Sequence, residues 1–217
     1  MLDGLMGYKL GMTQFFSEEG KLIPVTVLQV GPCKVVQIKT MEKEGYQAAQ
    51  LSFDEVAEHR VTKAIAGHFK KTGVSISRRL KEFKGDLTGM NTGDVLTVDL
   101  FKKGDRVDVT AVSIGKGFQG VIKRHHFRGG PATHGSMFHR APGSIGASSF
   151  PSRVFKNRKM PGHMGARTIT TQNMTVADVR LDEHLLLLKG SVPGSPKGLV
   201  SIYRSVKVNV QAKEKKA

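Results

Sequence analysis

The feature of this sequence that most constrains its fold is a long stretch without acidic residues. No Asp or Glu occurs between Asp108 and Asp178, yet that stretch holds ten basic residues and ten glycines. Its apolar residues are scattered singly, and beyond residue 124 neither a strand period nor a helical period is sustained. Such a segment cannot close a hydrophobic core of its own, and an irregular run of this length is unusual inside a compact domain.

The net charge of the chain is concentrated in the same stretch. The 217 residues include 34 Lys and Arg against 18 Asp and Glu, a formal charge of +16. Residues 109–177 contribute +10 of that charge, and five of the eight histidines lie there too. Charges that serve only solubility are interspersed over the whole surface. This placement therefore indicates a polyanionic partner, most commonly a nucleic acid.

Two interpretations fit such a segment: a disordered linker, or an extension that becomes ordered only against a partner. Linkers are rich in Ser, Pro, Glu and Gln, whereas this segment interleaves Arg and Lys with aromatic residues and Gly. Cations pair with phosphates, rings and guanidinium planes stack on bases, and Gly lets backbones approach closely. We therefore predict an RNA-binding extension that is mobile in the free protein.

The sequence on either side of the extension predicts many short strands and few helices, which favours a mainly β fold built on a small closed barrel. The predicted helix covers residues 62–71. The predicted strands are 5–15, 22–30, 34–39, 46–53, 95–100, 106–114, 168–172, 174–181, 185–189 and 199–203.

The same patterns predict five segments and a frayed C-terminal end at residues 213–216. The segments are the first part of the barrel (1–39), an α+β insertion (40–94), further barrel strands (95–114), an extended basic loop (115–167), and the remaining barrel strands with a tail (168–217).

One motif invites a cofactor-binding interpretation. Residues 115–120, GKGFQG, match the GxGxxG pattern, follow a predicted strand and precede a helical turn at 121–124. Dinucleotide binding also needs an acidic residue about 20 positions on and a further parallel strand. Position 140 is Arg, no acidic residue occurs before Asp178, and no further strand is predicted. We therefore expect no cofactor.

Metal and catalytic chemistry lack their partner groups in this segment. Its histidines have no cysteine or carboxylate beside them to complete a zinc site. Ser136 and Ser144 lie near His139, but the acid that would orient the histidine is missing. We expect no metal, no catalytic residue and no enzymatic activity. An enzyme acting on a nucleotide and a DNA-binding protein are the alternatives, although no helix-turn-helix or zinc module is visible.

Membrane and secretion signals are also missing from the sequence. The longest apolar run, residues 185–188, is too short to span a bilayer, and the first residues lack a signal-peptide pattern. The single cysteine, Cys33, cannot form an internal disulfide and is predicted to be a small core residue. These features predict a cytoplasmic protein.

Five separate motifs, in order along nearly the whole chain, resemble the bacterial ribosomal protein L3 family. They are residues 4–13 (GLMGYKLGMT), 115–120 (GKGFQG), 134–136 (HGS), 139–146 (HRAPGSIG) and 159–165 (KMPGHMG).

The resemblance implies a translation-protein-type β-barrel on the outer face of the large ribosomal subunit. A long loop, here about 115–167 with its tip near 144–151, would run into the rRNA towards the peptidyl transferase centre. Members bind early in assembly near the 3′ end of the large (23S) rRNA, beside ribosomal proteins L14 and L19. Some bacterial members carry a methylated Gln just after the Gly-Ser-Ile-Gly run. This chain has Ala147, Ser148 and Ser149 there, so we expect no such modification.

Charge placement and the resemblance together predict the rRNA contacts. They are the basic, aromatic, histidine, hydroxyl and methionine side chains Lys116, Phe118, Lys123, Arg124, His125, His126, Phe127, Arg128, His134, Ser136, His139, Arg140, Ser144, Arg153, Lys156, Arg158, Lys159, Met160, His163 and Arg167.

Overall fold

The structure is a computed structural model that describes residues 2–17 and 19–207. The described residues form two compact units. The first comprises those up to Val112 and from Thr168 onward, and the second is Ser113–Arg167. The predicted frayed end at 213–216 lies outside the described residues.

Strands dominate the described residues. The helices are α1 (Met41–Glu44), α2 (Lys63–Thr72) and α3 (Val121–His125), and two 3-10 turns cover Glu58–Arg60 and Val98–Leu100. The strands are β1 (Gly4–Phe16), β2 (Leu22–Val30), β3 (Cys33–Lys39), β4 (Ala48–Glu55), β5 (Ser77–Phe83), β6 (Val95–Leu96), β7 (Arg106–Val112), β8 (Gly117–Gln119), β9 (Gly162–Met164), β10 (Thr168–Arg180), β11 (Leu185–Lys189) and β12 (Leu199–Arg204).

Six antiparallel strands close into a barrel in the order β1-β12-β7-β10-β11-β2. Closure follows from β1, which pairs with β12 through its first half and with β2 along most of its length. Leu5, Val109, Leu186 and Ile202 are fully buried and belong to one continuous hydrophobic core. The prediction of a mainly β fold with a closed barrel is confirmed.

A second sheet, in the order β5-β4-β3-β6, packs one face on the same core. Leu51 and Phe83 point into that core, and the Phe83 ring lies 5.2 Å from the Tyr203 ring of the barrel strand β12. Helix α2 contacts the sheet through the hydrogen bond between His68 Nε2 and Gln50 Oε1, at 2.7 Å. The helix buries its apolar side in doing so, because Phe69 is fully buried.

Several strands differ from those predicted. Strand β3 lies in the second sheet and not in the barrel, and it pairs there with β6. The predicted strand 95–100 is shorter in the structure, because β6 ends at Leu96, before the 3-10 turn. Strand β5 was not predicted, because its RRLKE sequence lacks an apolar alternation.

The predicted strands 168–172 and 174–181 form one strand, β10. Asn173 adopts a φ of 59° at a register shift between Thr171 and Met174, and its backbone N–H donates to Asp108 Oδ1 at 2.7 Å. This bond satisfies a polar group that the irregularity removes from the ladder.

The prediction that Cys33 is a core residue is confirmed: its side chain is fully buried. Burial raises the pKa of the thiol to about 11, because desolvation disfavours the thiolate. Since the thiolate is the nucleophile, we expect no alkylation of Cys33 at neutral pH in the folded protein. Mass spectrometry after iodoacetamide treatment should show modification only once denaturant is added. Rapid labelling of the native chain would contradict this burial.

Two glycines of β1 provide a matched test of barrel packing. A Cβ at Gly7 would lie 2.3 Å from the carbonyl oxygen of Gln29, whereas a Cβ at Gly11 would meet no atom within 4 Å. We expect Gly7→Ala to lower the free energy of unfolding by about 1–3 kcal/mol, as overpacking does. Gly11→Ala should leave it unchanged or slightly higher. Urea denaturation of the two variants measures the difference, and equal stabilities would show that β1 and β2 are not in this register.

Candidate nucleic-acid interface

The acid-free segment forms a structural unit of its own, residues 113–167, which we call the extension. Its two ends run antiparallel as a narrow stalk. The Ser113 N–H donates to the Arg167 carbonyl at 2.9 Å, and the Lys116 N–H donates to the Met164 carbonyl at 2.9 Å. Strand β8 then pairs with β9, so that Phe118 lies opposite His163. Backbone hydrogen bonds, not apolar packing, therefore hold the two segments of the stalk together.

Gly165 allows this close pairing. Its φ is +76°, which L side chains rarely adopt, and a Cβ there would lie 2.1 Å from the Ile114 carbonyl oxygen. Glycine is therefore required at the point where the returning chain crosses residue 114.

Helix α3 holds the returning chain at the far end of the stalk. Val121 is the only buried residue between 113 and 167, all of which the structure describes. Arg124 Nη1 donates to the Met160 carbonyl at 2.6 Å, and His125 Nε2 donates to the same oxygen at 3.1 Å. The carbonyl of Met160 thus receives two side-chain donors, one of them charged, in a segment with almost no core.

Further hydrogen bonds hold residues 129–139 in a compact turn. The Gly130 N–H donates to the His139 carbonyl at 3.0 Å, and His139 Nδ1 donates to the Pro131 carbonyl at 2.9 Å. Ser136 Oγ donates to the Phe138 carbonyl at 3.1 Å. These bonds fold residues 129–139 back on themselves without burying a side chain.

The distal part of the extension is open to solvent. Every residue from 137 to 150 is exposed. The Ser144 hydroxyl donates to the Gly146 carbonyl at 2.8 Å, and the Arg158 guanidinium donates to the Ser144 carbonyl. The Arg153 guanidinium lies 5.4 Å above the Phe155 ring, a cation–π arrangement.

The extension presents cations and apolar side chains together at its surface. Nine of its ten basic residues are exposed, and Arg124 is half-buried. Met137 is 98% exposed, Phe150 88% and Phe118 75%. Large apolar side chains left in water beside cations have no packing role in the unit itself, and rings in this setting can stack on bases.

The predicted contact residues fall into two groups in the structure. Seven take part in the side-chain hydrogen bonds just described, either as the side-chain donor or, for Met160, as the carbonyl that accepts. These seven shape the extension: Arg124, His125, Ser136, His139, Ser144, Arg158 and Met160. Phe127 is half-buried with its ring 6.3 Å from that of His125. The remaining twelve are exposed: Lys116, Phe118, Lys123, His126, Arg128, His134, Arg140, Arg153, Lys156, Lys159, His163 and Arg167.

Met137 and Phe150 are not among the contacts predicted from the sequence. Both are more exposed than Phe118, Phe127 and Met160, the phenylalanine and methionine residues among those contacts. The signal that could have identified them was already visible, because a lone apolar residue in a segment without a core has nothing to pack against.

The glycine motif at 115–120 does not form a nucleotide-binding βαβ unit. Strand β8 lies within the motif and pairs antiparallel with β9, and α3 has only five residues. The expectation that no strand follows in this segment was wrong, because β9 is a strand of three residues.

Within residues 2–17 and 19–207, no group of three or more His, Cys, Asp or Glu side chains is arranged to hold a metal ion. In the same part of the chain, no helix has the length and apolar character to cross a membrane.

A β-barrel that carries an exposed, acid-free basic extension has the features of a ribosomal protein. The family model described as Ribosomal protein L3 matches residues 71–184. Large ribosomal subunit protein uL3 of Pelobacter propionicus is 55% identical over 208 residues, covering 95% of this chain and 100% of that protein. The protein of the same name from Herpetosiphon aurantiacus is 52% identical over 209 residues, covering 95% and 98%. The chain therefore belongs to the ribosomal protein L3 family and is a ribosomal component.

Arg124 and its neighbour Lys123 test which residues shape the extension. Arg124→Ala removes a charged donor from the Met160 carbonyl, so we expect faster hydrogen exchange at the Lys116 amide in the stalk. Lys123→Ala removes an exposed cation of the same helix and should leave that exchange rate unchanged. Exchange followed by NMR distinguishes the two variants, and equal rates would show that Arg124 does not hold the stalk.

Proposed function

We propose that this chain is a structural constituent of the large ribosomal subunit and that its extension binds the rRNA of that subunit. Membership of the ribosomal protein L3 family supports the first part, since the relatives are named as large-subunit proteins. One observation carries the second part: residues 109–177 hold +10 of the net charge of +16 without a single carboxylate. The role is structural and requires no catalytic group or cofactor.

Phosphate neutralisation and base stacking provide the physical mechanism. Exposed cations such as Arg128, Arg140 and Lys156 pair with phosphates where rRNA helices approach one another. Exposed rings such as Phe118 and Phe150 stack on bases that leave their helices. Ordering an irregular chain costs roughly 1–2 kcal/mol per residue, and these contacts offset that cost when RNA is present.

The stalk and the turns supply the shape in which these groups meet RNA. Arg124 and His125 fix the path of the returning chain through Met160, and His139 fixes the fold at Pro131. In this proposal those side chains position the extension, whereas the exposed cations and rings contact RNA directly. In this proposal each of the twenty residues predicted from the sequence either positions the extension or contacts RNA.

The finer location of the protein rests on its resemblance to the family. The barrel, of the translation-protein type, would lie on the outer face of the subunit beside ribosomal proteins L14 and L19. The extension would bind 23S rRNA near its 3′ end during early assembly and point towards the peptidyl transferase centre. The exposed run 137–150, which includes the expected tip except Pro151, supports this direction because it offers no surface for packing within the protein.

We further propose a division of labour among the segments. The barrel strands at either end of the chain anchor the protein, and the second sheet, within residues 33–96, forms the inserted part. The extension, here 113–167, is the RNA-penetrating part. These bounds differ from those expected from the sequence mainly because β3 and β6 pair in the second sheet.

Charge neutralisation in the full chain tests the proposal. A variant with Arg128, Arg140, Arg153, Lys156 and Lys159 changed to Gln removes five exposed cations from the extension. At about 0.7–0.9 units of logarithmic salt slope per phosphate, we expect its slope to fall by about 3.5–4.5 in a salt-series titration against large-subunit rRNA. A control with Lys21, Lys43, Lys102, Lys189 and Lys197 changed to Gln loses the same charge from exposed sites elsewhere and should keep most of its slope.

A deletion variant and a DNA competitor complete this test. Equal losses of slope in the two variants would mean that net charge, not the extension, drives binding. Removal of 116–166 should abolish most affinity while circular dichroism still reports the barrel. Duplex DNA that competes as well as rRNA would assign the extension to general polyanion binding and contradict the proposed function.

A further inference from the structure

A second acid-free run lies far from the extension in the sequence. Residues 59–81 contain seven basic residues and no Asp or Glu. The 125 residues outside this run and outside 109–177 hold 17 basic and 18 acidic residues. The positive charge that the extension does not account for is therefore concentrated in these 23 residues, which form α2, β5 and the turns beside them.

Helix α2 gathers its cations on one side. At about 100° per residue, Lys63, Gly67, Lys70 and Lys71 fall within about 100° of arc around the helix axis. All four are exposed, whereas Phe69 on the opposite side is fully buried. The outward side of α2 is thus a row of cations around a glycine.

The sheet face that α2 packs on carries one more exposed cation. The Gln50 side chain of β4 bonds to His68, so it lies on the sheet face that faces α2. Glu82 of β5 pairs with Gln50, and every second residue of β5 counted from Glu82 lies on that same face. Arg78 is one of them and is exposed.

The other two basic residues of β5 face the barrel. Lys81 Nζ donates to Ser201 Oγ at 2.8 Å, and Arg79 alternates with it along the strand. Five exposed cations remain, and we call them the α2 patch: Arg60, Lys63, Lys70, Lys71 and Arg78.

Both carboxylates that flank this acid-free run form ion pairs, one of them with Lys70 of the patch. Glu58 Oε1 accepts from Lys70 at 2.7 Å, and Glu82 Oε1 accepts from Lys39 at 2.6 Å. In the described part of the chain, no carboxylate forms an ion pair with Lys63, Lys71 or Arg78. The α2 patch therefore keeps a net positive charge.

Gly67 has no role in the packing of the protein. It lies inside α2, it is exposed, and a Cβ at this position would meet no atom within 4 Å. Glycine is the least favourable residue for a helix interior apart from proline. A bare helix backbone between cations lets a ligand approach closely, which a side chain would prevent.

We propose that the α2 patch is a second RNA-binding surface, which holds the phosphate backbone of large-subunit rRNA independently of the extension. The proposal rests on the proposed function only in taking rRNA as the polyanion. Lysine is depleted in the cores of protein–protein interfaces, so a lysine row is better suited to phosphates than to a protein partner. The bare backbone at Gly67 gives a phosphate room to lie between Lys63, Lys70 and Lys71.

Salt-series titration of the full chain against large-subunit rRNA tests the patch. With Lys63, Lys70 and Lys71 changed to Gln, we expect the logarithmic slope to fall by about 2–3, the value for three lost phosphate contacts. The matched control changes Lys43, Lys102 and Lys197 to Gln, three exposed lysines outside both acid-free runs, and should keep its slope.

Gly67→Ala supplies an independent readout. Alanine favours the helix and meets open space, so thermal unfolding should shift to higher temperature. A methyl group on the patch should at the same time weaken rRNA binding several-fold. A gain in stability with unchanged binding would overturn the part of the proposal that concerns Gly67.

The failure of this proposal differs from the failure of the proposed function. If the α2 variant and its control have equal slopes, the α2 patch does not bind RNA, even when the extension variant loses its slope. If the α2 variant keeps its rRNA slope but no longer joins neighbouring ribosomal proteins, a protein occupies the patch and the proposal is also overturned.

Discussion

The antiparallel pairing of β7 with β10 is the constraint on which the extension depends. Val112 pairs with Thr168, so the two ends of the extension begin at neighbouring positions of a closed barrel. Within the extension, the Ser113 and Lys116 bonds hold its two ends antiparallel to each other. An irregular chain with one buried residue cannot bring its own ends together against the entropy of loop closure, and the barrel supplies that closure.

Two different balances of forces therefore operate in one chain. The barrel and the second sheet share a continuous apolar core, and hydrophobic burial stabilises them as it does most domains. The extension relies on backbone hydrogen bonds, charged donors to carbonyls and glycines at close contacts. Its carboxylate-free composition would be unfavourable for an isolated unit, since ten cations repel one another. A polyanion turns that repulsion into attraction, which links the composition of the extension to its proposed ligand.

The sequence predicted the parts of the fold that local patterns specify. The strands at 22–30 and 185–189 were located because apolar residues recur along them, and the charge window located the extension. Pairing across long sequence distances was not predictable in the same way. β3 and β6 belong to the second sheet although nothing local distinguishes them from barrel strands. β8 and β9 are three residues each and are separated by more than forty residues, so neither carries a pattern long enough to detect.

The same limit explains why the sequence could not separate contact residues from positioning residues. Lys123 and Arg124 are adjacent cations of one helix, and only the fold shows that Arg124 is bonded to Met160 whereas Lys123 is exposed. The distinction has a physical signature, because the salt slope counts neutralised phosphates. Loss of an exposed cation changes the slope, whereas loss of a positioning donor loosens the extension and lowers affinity at every salt concentration. Salt dependence can therefore sort the basic residues of this protein by role, which neither composition nor affinity at a single salt concentration can do.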